Sequence, residues 1–595
     1  MAISGFRAVG GALEWRGEGE YLRVEPYGRN GVRVRASKKS PISDVNWGLI
    51  SPEGIAPDAG VSIDETAGDA VVRNGGIVVK AHAYRAGNDG AGYTENLCEL
   101  SFHNASGDLL FKEMPQSGAL KLHARSYQPV MGGAHAIEAT FVAPEHERLY
   151  GMGEYQQDVL DLKGCTFELA HRNSQASVPF VVSSKGYGFL WHNPAIGRAT
   201  FGRNRTEWAA QSTDQIDYWV TAGGTYAQIE AQYADATGHA PAMPEWGMGF
   251  WQCKLRYWNQ EQLLDVAREF KRREIPLDLI VIDFFHWPHL GDYKFEDEFW
   301  PDPEAMVAEL DAMGVKLMVS VWPQVSTASE NFVEMKRNNY LVSAEAGLNL
   351  DMMFEEPCVN YDPTNPGARA FVWDRCRENY WDKGVRAFWL DEAEPEYGVY
   401  DFRNYRYHLG SDLNVGNVYP QAYNRGFYEG QLEAGAEGEI VNLTRCAWAG
   451  SQRYGSLVWS GDVGSTFADL RSQITCAIHM GMAGIPWFTT DMGGFHDGVI
   501  DSDSFKELLA RWCAFSCFLP VMRNHGDRGP NNHQVLDQRG NRITHVHTGD
   551  NNEPWSFGPE VERTMVKYIT LRETMRPYAR ELFAEAHESG PPLVR

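Results

Sequence analysis

Two aspartates carry the chemistry this sequence could do. Asp391 closes the apolar run Phe388-Trp389-Leu390, and Asp462 comes three residues after Ser456-Leu457-Val458-Trp459. Each reads as a carboxylate delivered at the C-terminal tip of a buried strand. Glu394-Pro395 ends the first run, because proline has no N–H for the ladder. A pair of carboxylates suits cleavage of a glycosidic bond. At a separation of about 5–5.5 Å one serves as nucleophile and the other as acid/base; at about 6.5–9.5 Å one activates water instead. Position along the chain leaves that distance open. The nucleophile must stay ionised, and Arg445 is a cation able to keep it so. The acid must hold a proton near neutral pH, which an apolar setting promotes, and Asp462 comes soon after Trp459. A lone strand-end aspartate often does no more than cap a helix. The company of these two argues otherwise: Asp283, Trp322, Asp391, Arg445, Asp462, Asp491 and His525 all fall where, or just after, an apolar run stops.

The elements that must position these residues begin near Pro241-Ala-Met-Pro244, where strand-like and helix-like runs start to alternate. Strands are expected at 246–251, 277–285, 315–322, 385–391, 439–445, 456–459, 484–489 and, weakest of all, 517–523. Helices are expected at 260–273, 366–382 and 467–481. In the first of these, Leu263, Leu264, Ala267 and Phe270 share one face. Strands buried on both faces read as continuous apolar runs, as these do. Eight such strands alternating with helices make a (β/α)8 TIM barrel with insertions over 241–590, whose C-terminal strand ends build a site. Residues 1–240 read instead as short alternating strands between turn clusters, among them 21–26, 31–36, 70–73 and 76–80, with a hairpin at 179–192. That is the signature of an antiparallel β-sandwich. The chain is therefore multidomain, with neither a phosphate loop nor a dinucleotide fingerprint in its first half.

Composition narrows the partners. A net charge of −25 over 595 residues argues against nucleic acid or an anionic membrane and suits a neutral ligand. The 19 Trp, 26 Tyr and 28 Phe supply faces that stack on sugar rings. No run of about 18 apolar residues is present, and the first residues lack the apolar core of a signal peptide. Nine scattered cysteines without a C-x-x-C pair suit a reducing, cytoplasmic location. A metal-dependent hydrolase is one alternative, since His545-Val546-His547 has ligand spacing and His286 and His289 follow the second strand. A solvent-facing alternation is the commoner meaning of H-x-H, and no Glu-x-x-His companion appears, so neither metal nor other cofactor is expected. A non-catalytic carbohydrate-binding protein on a barrel scaffold is the other; its mark would be a lost carboxylate, and both are present.

Residues 244–528 resemble the barrel of glycoside hydrolase family 31, most of all its α-xylosidase branch. The resemblance rests on Val281-Ile-Asp-Phe-Phe-His-Trp287, Val319-Ser-Val-Trp-Pro323, Phe388-Trp-Leu-Asp-Glu-Ala-Glu-Pro395, Arg445-Cys-Ala-Trp-Ala-Gly-Ser-Gln-Arg453, Trp459-Ser-Gly-Asp462, Asp491-Met-Gly-Gly-Phe495 and Arg523-Asn-His-Gly526. Upstream, Leu149-Tyr-Gly-Met-Gly-Glu154 resembles the family's sandwich domain. The resemblance implies a retaining exo-α-glycosidase acting on an oligosaccharide or small α-glycoside, with Asp391 as nucleophile and Asp462 as acid/base. It places Asp283, Arg445 and His525 in hydrogen-bonding contact with the sugar, and Trp322, Trp389, Trp459 and Phe495 around it. Bulk from Phe284, Phe285 and Trp287, with a contribution from the loop Lys254–Tyr257, would favour xylose, which lacks the C6 hydroxymethyl. α-Galactose and α-glucose are the alternatives. Family members usually continue into C-terminal β-domains; here 591–595 reads as the stub where they would begin. An uncovered barrel face would favour association into a homo-oligomer.

Overall fold

The computed structural model describes residues 5–50, 53–88, 93–115, 123–345, 352–354, 356–398, 400–436, 438–530 and 549–595. His545 and His547 lie outside the described residues.

The first half is an antiparallel β-sandwich of an eight-stranded and a ten-stranded sheet. Period-2 alternation builds it: in Asp69–Asn74, Ala70 and Val72 face the shared core while their neighbours face out. The expected hairpin is Ala176–Ser183 paired with Tyr187–Trp191, Phe180 opposite Leu190. Gly31–Ser37 is buried on both faces. Its outer face carries Arg33, which forks onto Asp217 at 3.0 and 2.7 Å. Beside it, Nε2 of His192 accepts the backbone N–H groups of Trp47, Gly48 and Leu49 at 3.1, 2.9 and 3.2 Å. Arg453, from the barrel half, donates to the Gly48 carbonyl at 2.7 Å, so this loop joins the two halves.

The second half closes as a parallel barrel. Its strands, in chain order, are Phe250–Gln252, Leu279–Ile282, Lys316–Val321, Ala387–Leu390, Asn442–Thr444, Ser456–Trp459, Phe488–Thr489 and Met522–Asn524. Neighbours pair in sequence and the eighth pairs with the first. The seventh meets the eighth through the Val521 N–H on the Phe488 carbonyl at 3.4 Å and the Thr489 hydroxyl on the Val521 carbonyl at 2.9 Å. The seventh strand is shorter than expected because Pro486 cannot join the ladder. The eighth starts later than expected: helix Asp503–Ser516 runs into a turn at 517–521. The expected 366–382 helix is Pro366–Cys376, widening into a π-helical turn at Arg377–Trp381.

Side-chain parity explains why the strand ends point where they do. Leu279, Val281, Met318, Ala387, Trp389, Leu443, Leu457, Trp459, Trp487 and Val521 share the cluster inside the barrel. Ile280, Ile282, Leu317, Val319, Phe388 and Leu390 pack outward in the cluster that holds helical residues such as Leu263, Leu310 and Val372. Adding two residues to the inward Val281, Trp389, Leu443 and Val521 gives Asp283, Asp391, Arg445 and Arg523; Asp491 lies four beyond Trp487, and His525 two beyond Arg523. The alternation that fills the barrel thus aims these side chains into its C-terminal mouth.

Candidate active site

Arg445 is the hub of this mouth. It is 2% exposed and touches five carboxylates. Nε and Nη2 fork onto Glu394 at 2.6 and 3.0 Å, and Nη2 also reaches Glu396 and, at 3.2 Å, Glu392. Nη1 stands 3.5 Å from Asp391 Oδ1 and 3.8 Å from Asp462 Oδ2. The two aspartates named from sequence are thus bridged by a single nitrogen. The Asp391 N–H is tied to the Val321 carbonyl of the adjacent strand at 3.1 Å, and its Oδ1 accepts the Glu392 N–H at 2.8 Å. Burial pushes the Asp391 carboxyl up to about 7, against the pull of Arg445 and with a further push from the charge of Asp462. Burial also raises Glu392 and Glu394, with Arg445 opposing it. Asp462 is less enclosed, its side chain 27% exposed.

Asp283 and His525 face one another across the mouth, Oδ2 to Nε2 at 3.6 Å. Burial holds the Asp283 carboxyl well above its ordinary range, towards the neutral acid. Burial, reinforced by Arg523 and Arg528, holds the His525 imidazole well below its own, so it is neutral. His525 packs edge-on to Trp389 at 5.0 Å and beside half-buried Phe495 at 5.5 Å; Trp389 meets Trp459 at 5.2 Å. Both tryptophans belong to the barrel interior, 2% and 1% exposed, and floor the mouth rather than flank it. Trp322 packs instead with Phe284 (5.0 Å), Phe285 (5.9 Å) and Trp287 (6.0 Å) as an aromatic wall beside Asp283. Arg256, from the loop after the first strand, covers this wall: its guanidinium lies 5.2 Å from the Phe285 ring, and it donates to the Phe284 carbonyl at 2.8 Å.

Besides the three glutamates on Arg445, further contributors escaped the sequence reading of the site. Arg523, fully buried, pairs with Asp491 and lies over Trp389 at 4.6 Å. Burial, and the charge of Asp462, push Asp491 up to about 6 although Arg523 pulls it down. Parity along the eighth strand would have found Arg523. Cys253, the residue after the first strand, brings its sulfur within 4.8 Å of Asp283 and His525, a donor set able to hold a soft divalent ion. Asn173 comes from the sandwich, and no signal in the barrel sequence points to it; its amide donates to Asp462 Oδ2 at 2.7 Å. The other histidines weighed as ligands are otherwise engaged. His286 is buried between the Asp283 carbonyl (2.9 Å) and the Tyr380 hydroxyl (3.0 Å), and exposed His289 pairs with Glu356.

Several buried polar atoms here make no hydrogen bond among the described residues: Asp283 Oδ2, Asp491 Oδ2, Arg523 Nε and Nη2, His525 Nδ1 and the indole N–H groups of Trp389 and Trp459. Buried polar atoms are ordinarily paired. A ring of orphan donors and acceptors around two bridged carboxylates is complementary to a molecule rich in hydroxyls.

Comparison with known proteins agrees with this geometry. Residues 240–582 match the model of the glycosyl hydrolases family 31 TIM-barrel domain, and residues 21–198 that of the glycosyl hydrolase 31 N-terminal galactose mutarotase-like domain. An uncharacterized family 31 glucosidase of Pseudescherichia vulneris is 48% identical over 536 residues, 87% of this chain and 98% of that protein. Alpha-xylosidase A of Aspergillus niger is 33% identical over 97% of this chain and 81% of its own length. The crystal structure of a family 31 alpha-xylosidase from a soil metagenome, complexed with xylose, superposes with a TM-score of 0.92 at 47% identity, covering 99% of this chain and 86% of that one.

Proposed function

The chain belongs to glycoside hydrolase family 31, and we propose that within it the protein is a retaining, exo-acting α-xylosidase. One observation supports the retaining reading: Asp391 and Asp462 flank a single guanidinium nitrogen of Arg445, at 3.5 and 3.8 Å, which keeps them close enough to admit the short carboxylate separation of about 5–5.5 Å that double displacement needs. In this reading Asp391 attacks the anomeric carbon as Asp462 protonates the departing oxygen. Asp462 then takes a proton from water, which displaces the sugar from its ester with Asp391. Asp283, Arg445 and His525 hold the sugar through its hydroxyls, with Asp283 in its neutral form able to donate as well as accept. The carboxylates supply all the chemistry, without a cofactor.

The sugar is argued from the wall. Phe284, Phe285, Trp287 and Trp322 form a packed aromatic group beside Asp283, bulk that would crowd the C6 hydroxymethyl of glucose or galactose, a group that xylose lacks. The relatives named as alpha-xylosidases fit that reading, while the Pseudescherichia vulneris relative, named a glucosidase, keeps glucose as the second one. Hydrolysis of p-nitrophenyl α-xyloside, α-glucoside and α-galactoside, with Asp391→Ala as control, tests both parts. We expect xyloside to lead and the variant to lose activity on all three. A lead for glucoside or galactoside would discard the wall argument, and activity surviving in the variant would discard Asp391 as nucleophile.

A further inference from the structure

Asn173 stands at the tip of a short turn between the sandwich strands Thr166–Leu169 and Ala176–Ser183. Arg172 and Gln175 close the turn by exchanging N–H···O bonds of 3.1 and 2.8 Å, with Ser174 in the left-handed region at φ 64°. The turn is braced from both sides. The Arg172 guanidinium forks onto Glu168 at 2.8 and 3.0 Å and lies over the rings of Tyr400 (4.9 Å) and Phe402 (5.3 Å), which belong to the barrel half. The Cys446 thiol faces the Gln175 carbonyl at 3.4 Å. Gly461, directly before Asp462, meets the turn backbone to backbone: a Cβ there would stand 2.5 Å from the Ser174 nitrogen. From this tip the Asn173 amide grips one residue twice. Nδ2 donates to Asp462 Oδ2 at 2.7 Å, and Oδ1 accepts the Asp462 N–H at 3.1 Å.

We propose that Asn173 is a positioning residue for Asp462, so that the catalytic constellation spans both domains. The double contact locks backbone and carboxylate together and fixes the side-chain rotamer. It occupies Oδ2, leaving Oδ1 as the oxygen that passes its proton to the departing group. The inference rests on the reading of Asp462 as acid/base. Since Asn173 acts through that carboxylate, its value in the first step, which kcat/KM reports, appears only when the leaving group needs a proton; the later proton transfer from water to Asp462 is common to every substrate.

The test compares Asn173→Ala, Asp462→Ala and the double variant on two glycosides of the preferred sugar: a disaccharide, whose leaving group needs protonation, and the glycosyl fluoride, whose leaving group does not. Asn173→Ala should lower kcat/KM on the disaccharide by about tenfold to a hundredfold, the worth of a hydrogen bond to a charged group. On the fluoride kcat/KM should stay within about twofold, and the substitution should cost nothing further on top of Asp462→Ala. Asn173→Asp, which cannot donate when ionised, should lose at least as much. Equal losses on both substrates, additivity with Asp462→Ala, or a wild-type Asn173→Asp would each overturn the inference. Equal losses on both substrates for Asp462→Ala itself would instead overturn the acid/base assignment, and the inference with it.

Discussion

Replacing Arg445 with methionine removes the guanidinium that five carboxylates share. Two unit charges 3.5 Å apart, the Nη1–Oδ1 distance to Asp391, interact by about 4.7 kcal/mol at an effective permittivity of about 20. At 1.36 kcal/mol per unit that is a ceiling of about 3.5 pH units. Proton uptake by Glu392 and Glu394 relieves part of it, and an opposite charge at such range commonly moves a carboxyl by about 1–3 units. Burial already holds Asp391 at about 7, with Arg445 the chief restraint. Attack requires the ionised carboxylate, so kcat/KM should fall tenfold per unit as pH drops below that value. In Arg445→Met this acid limb should move upward by about one to three units. The assay is kcat/KM on the preferred p-nitrophenyl glycoside from about pH 4 to 10 at constant ionic strength, a ratio that reports the free enzyme. Arg445→Lys keeps the charge but not the fork; its limb should stay within about one unit of wild type while its plateau falls. A folded Arg445→Met protein with its limb in the wild-type place and only a lower plateau would refute the electrostatic argument.

Two further outcomes concern stability. Glu230, buried on helix Tyr226–Thr237, has both carboxyl oxygens without a hydrogen bond among the described residues, and burial alone holds it well above its ordinary 4.5. It stays protonated when folded but ionises when unfolded, so stability should erode by about 1.4 kcal/mol per unit as pH rises past that value. The unfolding free energy of Glu230→Gln should therefore gain on wild type steadily from pH 5 to 8; a constant difference would contradict this. Arg523→Leu should strand Asp491 in the barrel and cost about 3–5 kcal/mol in urea unfolding at neutral pH, and a cost below about 1 kcal/mol would show that the pair is not needed.

Much of this molecule is legible in its sequence because its strands obey a simple alternation. Each apolar run in 241–590 declares a strand, and the polar residue that ends it declares the mouth; Asp283, Asp391, Arg445 and His525 were placed this way. Strand ends were less legible. Pro486, which has no N–H for the ladder, shortens the seventh strand, and the turn that follows helix Asp503–Ser516 displaces the eighth. The aromatic residues divide by environment: Trp389 and Trp459 are as much core as site, and a sequence gives no depth along the barrel axis. Asn173 was illegible in principle. Its contact with Asp462 spans 289 residues and depends on how two domains dock.

The excess of carboxylates around Arg445 also makes the mouth a discriminator by charge. Asp391, Glu392, Glu394, Glu396 and Asp462 share one guanidinium, so even with several of them protonated the local potential leans negative. A sugar bearing a carboxylate would meet that potential as repulsion in addition to any steric mismatch. A protonated amine of sugar-like shape would meet it as attraction, as does the positive charge that spreads over the ring when the glycosidic bond parts. Uronic acids should thus be poor ligands even where their rings fit, and basic sugar mimics good ones, with an affinity that weakens as salt is added.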